Sequence, residues 1–332
     1  MLYSSIVLQS MYINLTEACS AIGIVSVSFF SIFSQDILRH IHSLVPLRDA
    51  ARAACVSHRF RRSWRCFPNL TFDLEELGLN KDQDVQYEER ANKFMDRVHN
   101  ILQNHSGIGV KTLKLNLCPC RTFITAYYVE SWLKCIVKPG IMELAVSLPS
   151  NLDYNFSCSL FSDDARSSLQ SLFLLSCDFH PKSITGCWRS LTSVRLRSVR
   201  ITEEEFGCFL SSTFALEKLW LSCSDEMVIL KIPSLLQQLS FLEVSQCRML
   251  QMIESDAPNL STFIYVGPPI NISFGDSSPV KNMDVRRSVY SSIVQFARTR
   301  LPSIASNLQT LTLSTYREVC IESYVVVNFF GT

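Results

Sequence analysis

The chain has 332 residues, with 31 Lys+Arg against 30 Asp+Glu for a net charge of +1. That balance argues against a dedicated polyanion binder, which carries a strong basic excess. At 47% hydrophobic and 18% charged residues, the chain fills a core and is neither a disordered segment nor an acidic tail. The 10 glycines fall below the usual share of ~7% and weigh against collagen-like, linker-rich and glycine-loop nucleotide-binding sequences.

The 13 cysteines run from Cys19 to Cys320 with no compact framework. That scatter suits buried thiols in a reducing compartment better than a disulfide scaffold. No charged side chain lies between Glu17 and Asp36, and the run Ala21 to Phe33 is apolar but diluted by Ser. A transmembrane helix needs roughly 20 mostly apolar residues. A secretory signal opens with Lys or Arg, and residues 1 to 16 hold neither. Residues 1–32 are therefore read as an apolar extension, buried or without structure, in preference to a membrane or export segment. The change of character at Gln35 points to an abnormal first exon.

Three short helices follow. Ser34 is the expected N-cap of the first, with Asp36 in its first turn. Ile37, Leu38, Ile41 and Leu44 recur at helical spacing. Pro46 ends this helix and suits the first turn of the next, whose Arg48 to Val56 stretch has high helix propensity. Ser57 is the expected cap of a third helix, with Phe60 and Trp64 four apart on one face. Such a unit is too small to bury a core alone. Its seven Arg (39, 48, 52, 59, 61, 62 and 65) face only Asp36 and Asp49. A small, apolar, basic module suggests docking onto an acidic protein.

The run from Ser34 to Trp64 resembles an F-box of the plant F-box/leucine-rich-repeat (FBD-like) family. The motif stands as Asp36-Ile37-Leu38, Leu44-Val45-Pro46-Leu47, Cys55-Val56-Ser57, then Phe60 and Trp64. One departure matters: the family opens with a Leu-Pro pair where this chain has Phe33 and Ser34. The resemblance implies that residues 33–75 form an F-box that binds a Skp-type adaptor and through it a cullin. Carried across position by position, it implies adaptor contacts at Phe33, Ile37, Leu38, Ile41, Leu44, Pro46, Leu47, Cys55, Val56 and Trp64. The alternative is that some of these, notably Ile41 and Trp64, only build the helical core.

The stretch Asp82 to His105 reads as a connecting helix, the main element of residues 76–106. Phe94, Val98, Ile101 and Leu102 give it one apolar stripe. From Val110 a unit of the form apolar-x-x-apolar-x-apolar recurs, with starts at Val110, Ile141, Leu169, Leu191, Leu216, Leu239, Leu260, Val280 and Leu308. A single match means little in so apolar a chain. The mean spacing of about 25 residues carries the argument, because it lies inside the 20–29 range of leucine-rich repeats. Cys118, Cys177 and Cys247 fall eight positions after their starts, at the Asn/Cys position of the repeat. Residues 107–332 thus resemble the irregular repeats that follow the F-box in the same family. The fold class expected is α/β, an N-terminal three-helix F-box followed by an irregular leucine-rich-repeat solenoid. The apolar ending Tyr324 to Phe330 reads as a solenoid truncated before its cap.

By strand parity, residues flanking the sixth repeat position point to the sheet surface. That row includes Lys114, Asn116, Phe173, Arg195, Arg197, Trp220, Glu243, Ser245, Asp284 and Arg286. Arg and Trp are enriched at binding hot spots, so Arg195, Arg197, Trp220, Glu243 and Arg286 are the candidate contacts for a protein target. The alternative is that they are ordinary sheet-surface residues.

Searches for chemistry find little. There is no phosphate-binding glycine loop, no nucleophile elbow and no His-Glu-x-x-His. Cys118-Pro119-Cys120 has no second pair at zinc spacing. No catalytic residue, metal or cofactor is expected. The resemblance implies a substrate-recognition subunit of a cullin-RING ubiquitin ligase in the nucleus or cytoplasm, with a protein target, no nucleic acid and no membrane. The alternative is a repeat-based interaction protein outside ubiquitin chemistry, its F-box degenerate.

Overall fold

The computed structural model describes residues 34–56, 58–79, 87–120, 124–181, 188–275, 280–287, 296, 307–317 and 320–328. The chain divides into two compact units, Met1–Val110 and Lys111–Thr332. Phe33 and Ser57 lie outside the described residues, as does the apolar extension 1–32.

The first unit holds three helices, α1 (Gln35–Ser43), α2 (Leu47–Val56) and α3 (His58–Trp64), then strand β1 (Asn69–Phe72) and helix α4 (Tyr87–Asn104). Helix α3 packs on both α1 and α2. Their meeting faces are apolar: Leu38, Leu47, Ala50, Phe60 and Trp64 are buried, and the Phe67 ring lies tilted 5.5 Å from that of Trp64. Ser34 caps α1, its Oγ accepting from the Ile37 amide at 3.4 Å. Gln35 then donates to Ser63 Oγ at 2.7 Å and to the Arg59 carbonyl at 3.2 Å, tying the start of α1 to α3. The Glu76 carboxylate accepts from the Leu47 amide at 2.9 Å, placing a negative charge where the α2 dipole favours one. The expected connecting helix is α4. Its stripe of Phe94, Val98 and Leu102 is buried, joined by Ala91 one turn earlier.

In the second unit the chain alternates strand and return. It runs through β2 (Thr112–Asn116), α5 (Ala126–Ile136), β3 (Glu143–Ser147), β4 (Asn155–Phe156), α6 (Asp163–Ser168), β5 (Ser171–Leu175), β6 (Asp178–Phe179), β7 (Ser193–Arg197) and α7 (Glu203–Leu210). The elements that follow are β8 (Lys218–Ser222), β9 (Ile229–Ile232), β10 (Phe241–Ser245), β11 (Met252–Ser255), β12 (Thr262–Val266), β13 (Asn271–Phe274), β14 (Asn282–Arg287), β15 (Thr310–Arg317) and β16 (Cys320–Asn328).

Strands β2, β3, β5, β7, β8, β10, β12, β14 and β15 lie side by side, parallel and in register. Each begins at the third position of one repeat's six-residue motif. The motif's fourth and sixth residues are buried in every copy, from Leu113 and Leu115 to Leu311 and Leu313, while the residues between them face outward. The first position is buried from Val110 through Val280, and Leu308 is half-buried. The copies at Leu260 and Val280 pair along their whole length like the others. A parallel strand pair requires a crossover, and the returns supply it. Helices α5, α6 and α7 fill the early returns, while β9, β11 and β13 form a second parallel sheet in the later ones.

Beneath the early returns runs an aromatic seam. Phe156, Phe179, Phe209, Trp188 and Phe161 meet successively at centroid distances of 5.0 to 6.1 Å. At the last repeat β16 turns back antiparallel along β15, from Thr310 opposite Asn328 to Arg317 opposite Cys320.

Candidate functional site

Each unit presents one candidate surface. In the first, the adaptor-contact candidates divide by burial. Leu38, Leu47 and Trp64 sit inside the three-helix core. Ile37 and Leu44 are 47% and 57% exposed, Pro46 and Cys55 are exposed, and Ile41 is half-buried. Ile37, Ile41 and Leu44 are spaced i, i+4, i+7 and share one helix face. The result is an apolar stripe on α1 that continues into Pro46, held in place by the buried residues behind it. The alternative role for Trp64, as part of the helical core, agrees with its burial. Phe33 and the Val56 side chain lie outside the described residues. Arg39 and Arg52 pair with Asp36 and Asp49 on their own helices. These surface pairs contribute little to stability.

In the second unit the outward residues of the ladder form rungs. One rung runs Lys114, Ala145, Phe173, Arg195, Trp220, Glu243, Ile264, Asp284 and Thr312. The next begins at Asn116 and continues through Leu175, Arg197, Ser222, Ser245 and Arg286. Arg195, Trp220 and Glu243 are therefore consecutive neighbours, and Arg197 is next to Arg195 on β7. The Arg195 guanidinium lies 4.5 Å from the centre of the Trp220 ring, within cation–π range. Phe241 adds a ring 5.0 Å from Trp220.

Arg286 stands apart, three strands beyond Arg197's neighbour Ser222 in the same rung. It is bound to Asp284 at 2.6 and 3.1 Å. Lys114 is likewise paired, with Glu143 at 2.9 Å. Parity marks all these residues as outward but does not tell a free cation from a paired one. It also passes over Lys218 and Phe241, which flank Trp220 on the adjoining rung.

Beyond the C-terminal ends of β3, β5 and β7 lies a polar cleft of about 390 Å³, lined in part by Ser150, Ser176 and Ser198. Arg200 crosses it, donating to Asp178 and to Asp153, each at 2.8 Å. These bonds and the nearby carboxylates raise the guanidinium pKa, so this charge stays fixed. A second polar contact, between His180 Nδ1 and Glu205 at 3.0 Å, closes onto the N-terminus of α7. There Thr202 and Glu205 form a reciprocal capping box, a structural arrangement.

Cys120, Cys177 and Cys247 are buried free thiols. Burial pushes Cys120 and Cys177 up to about 12 and Cys247 up to about 11. Such thiols remain protonated and are poor nucleophiles. At the repeat's Asn/Cys position, Cys118 and Cys247 reach the Leu148 and Ser245 carbonyls at 3.5 and 3.6 Å. Ser224, which the sequence did not flag, does the same toward the Val199 carbonyl at 3.2 Å. Among the described residues no cluster of three His, Cys, Asp or Glu could hold a metal. None of their helices is long and apolar enough to cross a membrane.

Helical module and parallel repeat ladder together define the class: an α/β protein with an F-box-like head and a leucine-rich-repeat solenoid. The family model "At1g61320/AtMIF1, LRR domain" matches residues 101–331, more than half of the chain, and the F-box domain model matches residues 30–71. The chain belongs to this leucine-rich-repeat family, in its F-box-bearing plant form. Its relatives in Arabidopsis thaliana include F-box/FBD/LRR-repeat protein At1g13570, 26% identical over 61% of this chain and 46% of its own length. Putative F-box/LRR-repeat protein At3g58880 is 26% identical over 78% of this chain and 55% of its own. F-box/LRR-repeat protein At3g58900 is 27% identical over 35% and 34%. The chain spans about half the length, or less, of the curated relatives it matches.

Proposed function

We propose that this chain is a substrate-recognition subunit of an SCF-type cullin-RING ubiquitin ligase, working in the nucleus or cytoplasm. The helical module docks a Skp-type adaptor, and the adaptor joins it to a cullin. The repeat ladder holds a protein target, raising its effective concentration beside the ubiquitin-loaded enzyme. In this reading the chain supplies binding surfaces only, and the reacting groups lie on other subunits. The observation that carries it is the apolar stripe in which Ile37, Leu44 and Pro46 are exposed and Ile41 is half-buried, on a module whose Leu38, Leu47, Phe60 and Trp64 are buried. Apolar side chains aligned on one helix face of a small module point to a partner that covers them. The F-box match over the same residues supports the adaptor as that partner.

The test is capture of the full chain by a purified plant Skp-type adaptor, compared with the triple variant Ile37→Ala/Leu44→Ala/Pro46→Ala. These positions are exposed, so the variant keeps its circular dichroism while losing at least tenfold in adaptor affinity. A folded wild-type chain that shows no capture would sink the ligase reading. It would leave an interaction protein with a degenerate F-box, for which Phe33-Ser34 in place of Leu-Pro is the sequence ground.

A further inference from the structure

Charge on the outward face of the repeat ladder is sorted by position. Toward one end Lys114 and Glu143 neutralise each other, and toward the other Arg286 and Asp284 do so. Between them, strands β5, β7 and β8 offer Arg195, Arg197 and Lys218 with no outward acid. Arg197 and Lys218 make no ion pair among the described residues, and Arg195 is stacked on Trp220. Within the neighbouring strands the first outward acid is Glu243, opposite Trp220 on β10, while the exposed Glu217 precedes Lys218 just before β8.

The register gives this patch a shape. Lys218 lies in the rung of Ser193, Trp220 in the rung of Arg195, and Arg197 in the rung of Ser222. Lys218 and Arg197 thus stand one rung to either side of the Arg195–Trp220 pair. Four residues of strand separate their rungs, roughly 13 Å at about 3.3 Å per residue. Phe173 and Phe241 border the central pair. The pattern is a cation, an aromatic floor, then a second cation.

We infer that this patch binds an extended acidic segment of a protein target, with the pattern acid-x-apolar-x-acid. In an extended peptide residues i, i+2 and i+4 point to one side and span the same roughly 13 Å. Two carboxylates then meet Lys218 and Arg197, while the apolar side chain between them packs on Trp220 and Phe241. Glu243 beside Trp220 repels a third acid at the centre and favours the apolar residue there. This inference rests on the target-holding role of the ladder proposed above and specifies its ligand.

A fluorescent peptide containing Glu-Ser-Leu-Ser-Glu in a Gly/Ser context tests it by anisotropy against the full chain. A Lys-Ser-Leu-Ser-Lys peptide serves as the charge-reversed control. The acidic peptide binds, and binding weakens as salt rises. The exposed double variant Arg197→Glu/Lys218→Glu loses at least tenfold, and Trp220→Ala loses about as much. Lys114→Ala, on the same face but already paired with Glu143, changes affinity by less than twofold. Absence of acidic-peptide binding, equal binding of both peptides, or an unaffected double variant would each overturn the inference. Adaptor capture run in parallel separates the two proposals. Capture without peptide binding removes this inference and leaves the ligase reading, and peptide binding without capture does the reverse.

Discussion

Four residues share an unusual backbone. Ser176, Ser198, Cys223 and Gln246 have φ between 51° and 57°, the left-handed region that costs most residues about 1–2 kcal/mol. All sit at the same place, immediately after the ladder strand of their repeat. Each amide donates to the last strand residue of the next repeat, as Ser198 does to the Ser222 carbonyl at 2.8 Å. The four successive repeats of β5, β7, β8 and β10 share this turn. The sequence offers no Gly or Asn there to announce it, which is why residue-type reading missed it. Gln246→Gly is expected to leave stability unchanged or raise it by up to about 1 kcal/mol, whereas Gln246→Val lowers it by at least about 1 kcal/mol; urea denaturation of the two variants measures both. Gly267, at the same place after β12, does not share the left-handed backbone. A Cβ there would stand 2.7 Å from the Tyr265 hydroxyl, which donates to the Pro268 carbonyl at 2.6 Å. Gly267→Ala should displace the buried Tyr265 and cost about 1–3 kcal/mol, seen as a lower urea midpoint. A Gly267→Ala protein as stable as wild type would mean that the tyrosine moves freely.

Elements differ in how much of their cause is local. The stripe of α4 is visible in sequence because Phe94, Val98 and Leu102 recur on one helical face, and all three are buried. Strands β9, β11 and β13 were not foreseen. Each is four residues long, and such a segment is a strand only because the next repeat provides its pair. The chain after α4 turns on His105, a buried residue whose role was also invisible from spacing. Its Nε2 lies 3.0 Å from the Phe67 carbonyl, and its Nδ1 accepts from the Gly107 amide at 3.0 Å. Those partners require the neutral tautomer with the proton on Nε2. Burial lowers the His105 pKa below its ordinary 6.5, only partly offset by the Phe67 carbonyl. In the unfolded chain the ring takes up a proton near pH 6.5, while the folded ring resists it. Its stabilising contribution is therefore complete above pH 6.5 and falls as pH drops from there through the lowered folded value. The first unit should unfold at lower urea at pH 5 than at pH 7.5, and His105→Gln should flatten that dependence. An identical pH slope in the variant would show that another group controls it.

At the scale of the whole chain, the architecture was legible and the binding surface only partly so. Nine motif copies at a regular spacing define the ladder, because every repeat must bury the same three positions against its neighbours. The outward face carries no such constraint. Parity singled out Arg195, Arg197 and Trp220 but could not show that Arg286 is held by Asp284 or that Lys218 and Phe241 complete the patch. Those facts depend on register and on which ion pairs close. The two faces of one ladder should accordingly respond in opposite ways to substitution. Leu242 is fully buried beneath β10, so Leu242→Ala removes packed methyl groups and should cost about 2–5 kcal/mol. Because each repeat is stabilised by its neighbours, hydrogen exchange should rise in β8 and β12 as well as in β10. Trp220 lies on the outward side of the adjoining strand, and Trp220→Ala loses chiefly its contacts with Arg195 and Phe241. Its cost should stay near 1 kcal/mol while acidic-peptide binding falls at least tenfold. Urea denaturation and peptide anisotropy on both variants decide the matter: a Trp220→Ala protein destabilised as much as Leu242→Ala would make that tryptophan part of the core and remove it from the binding face.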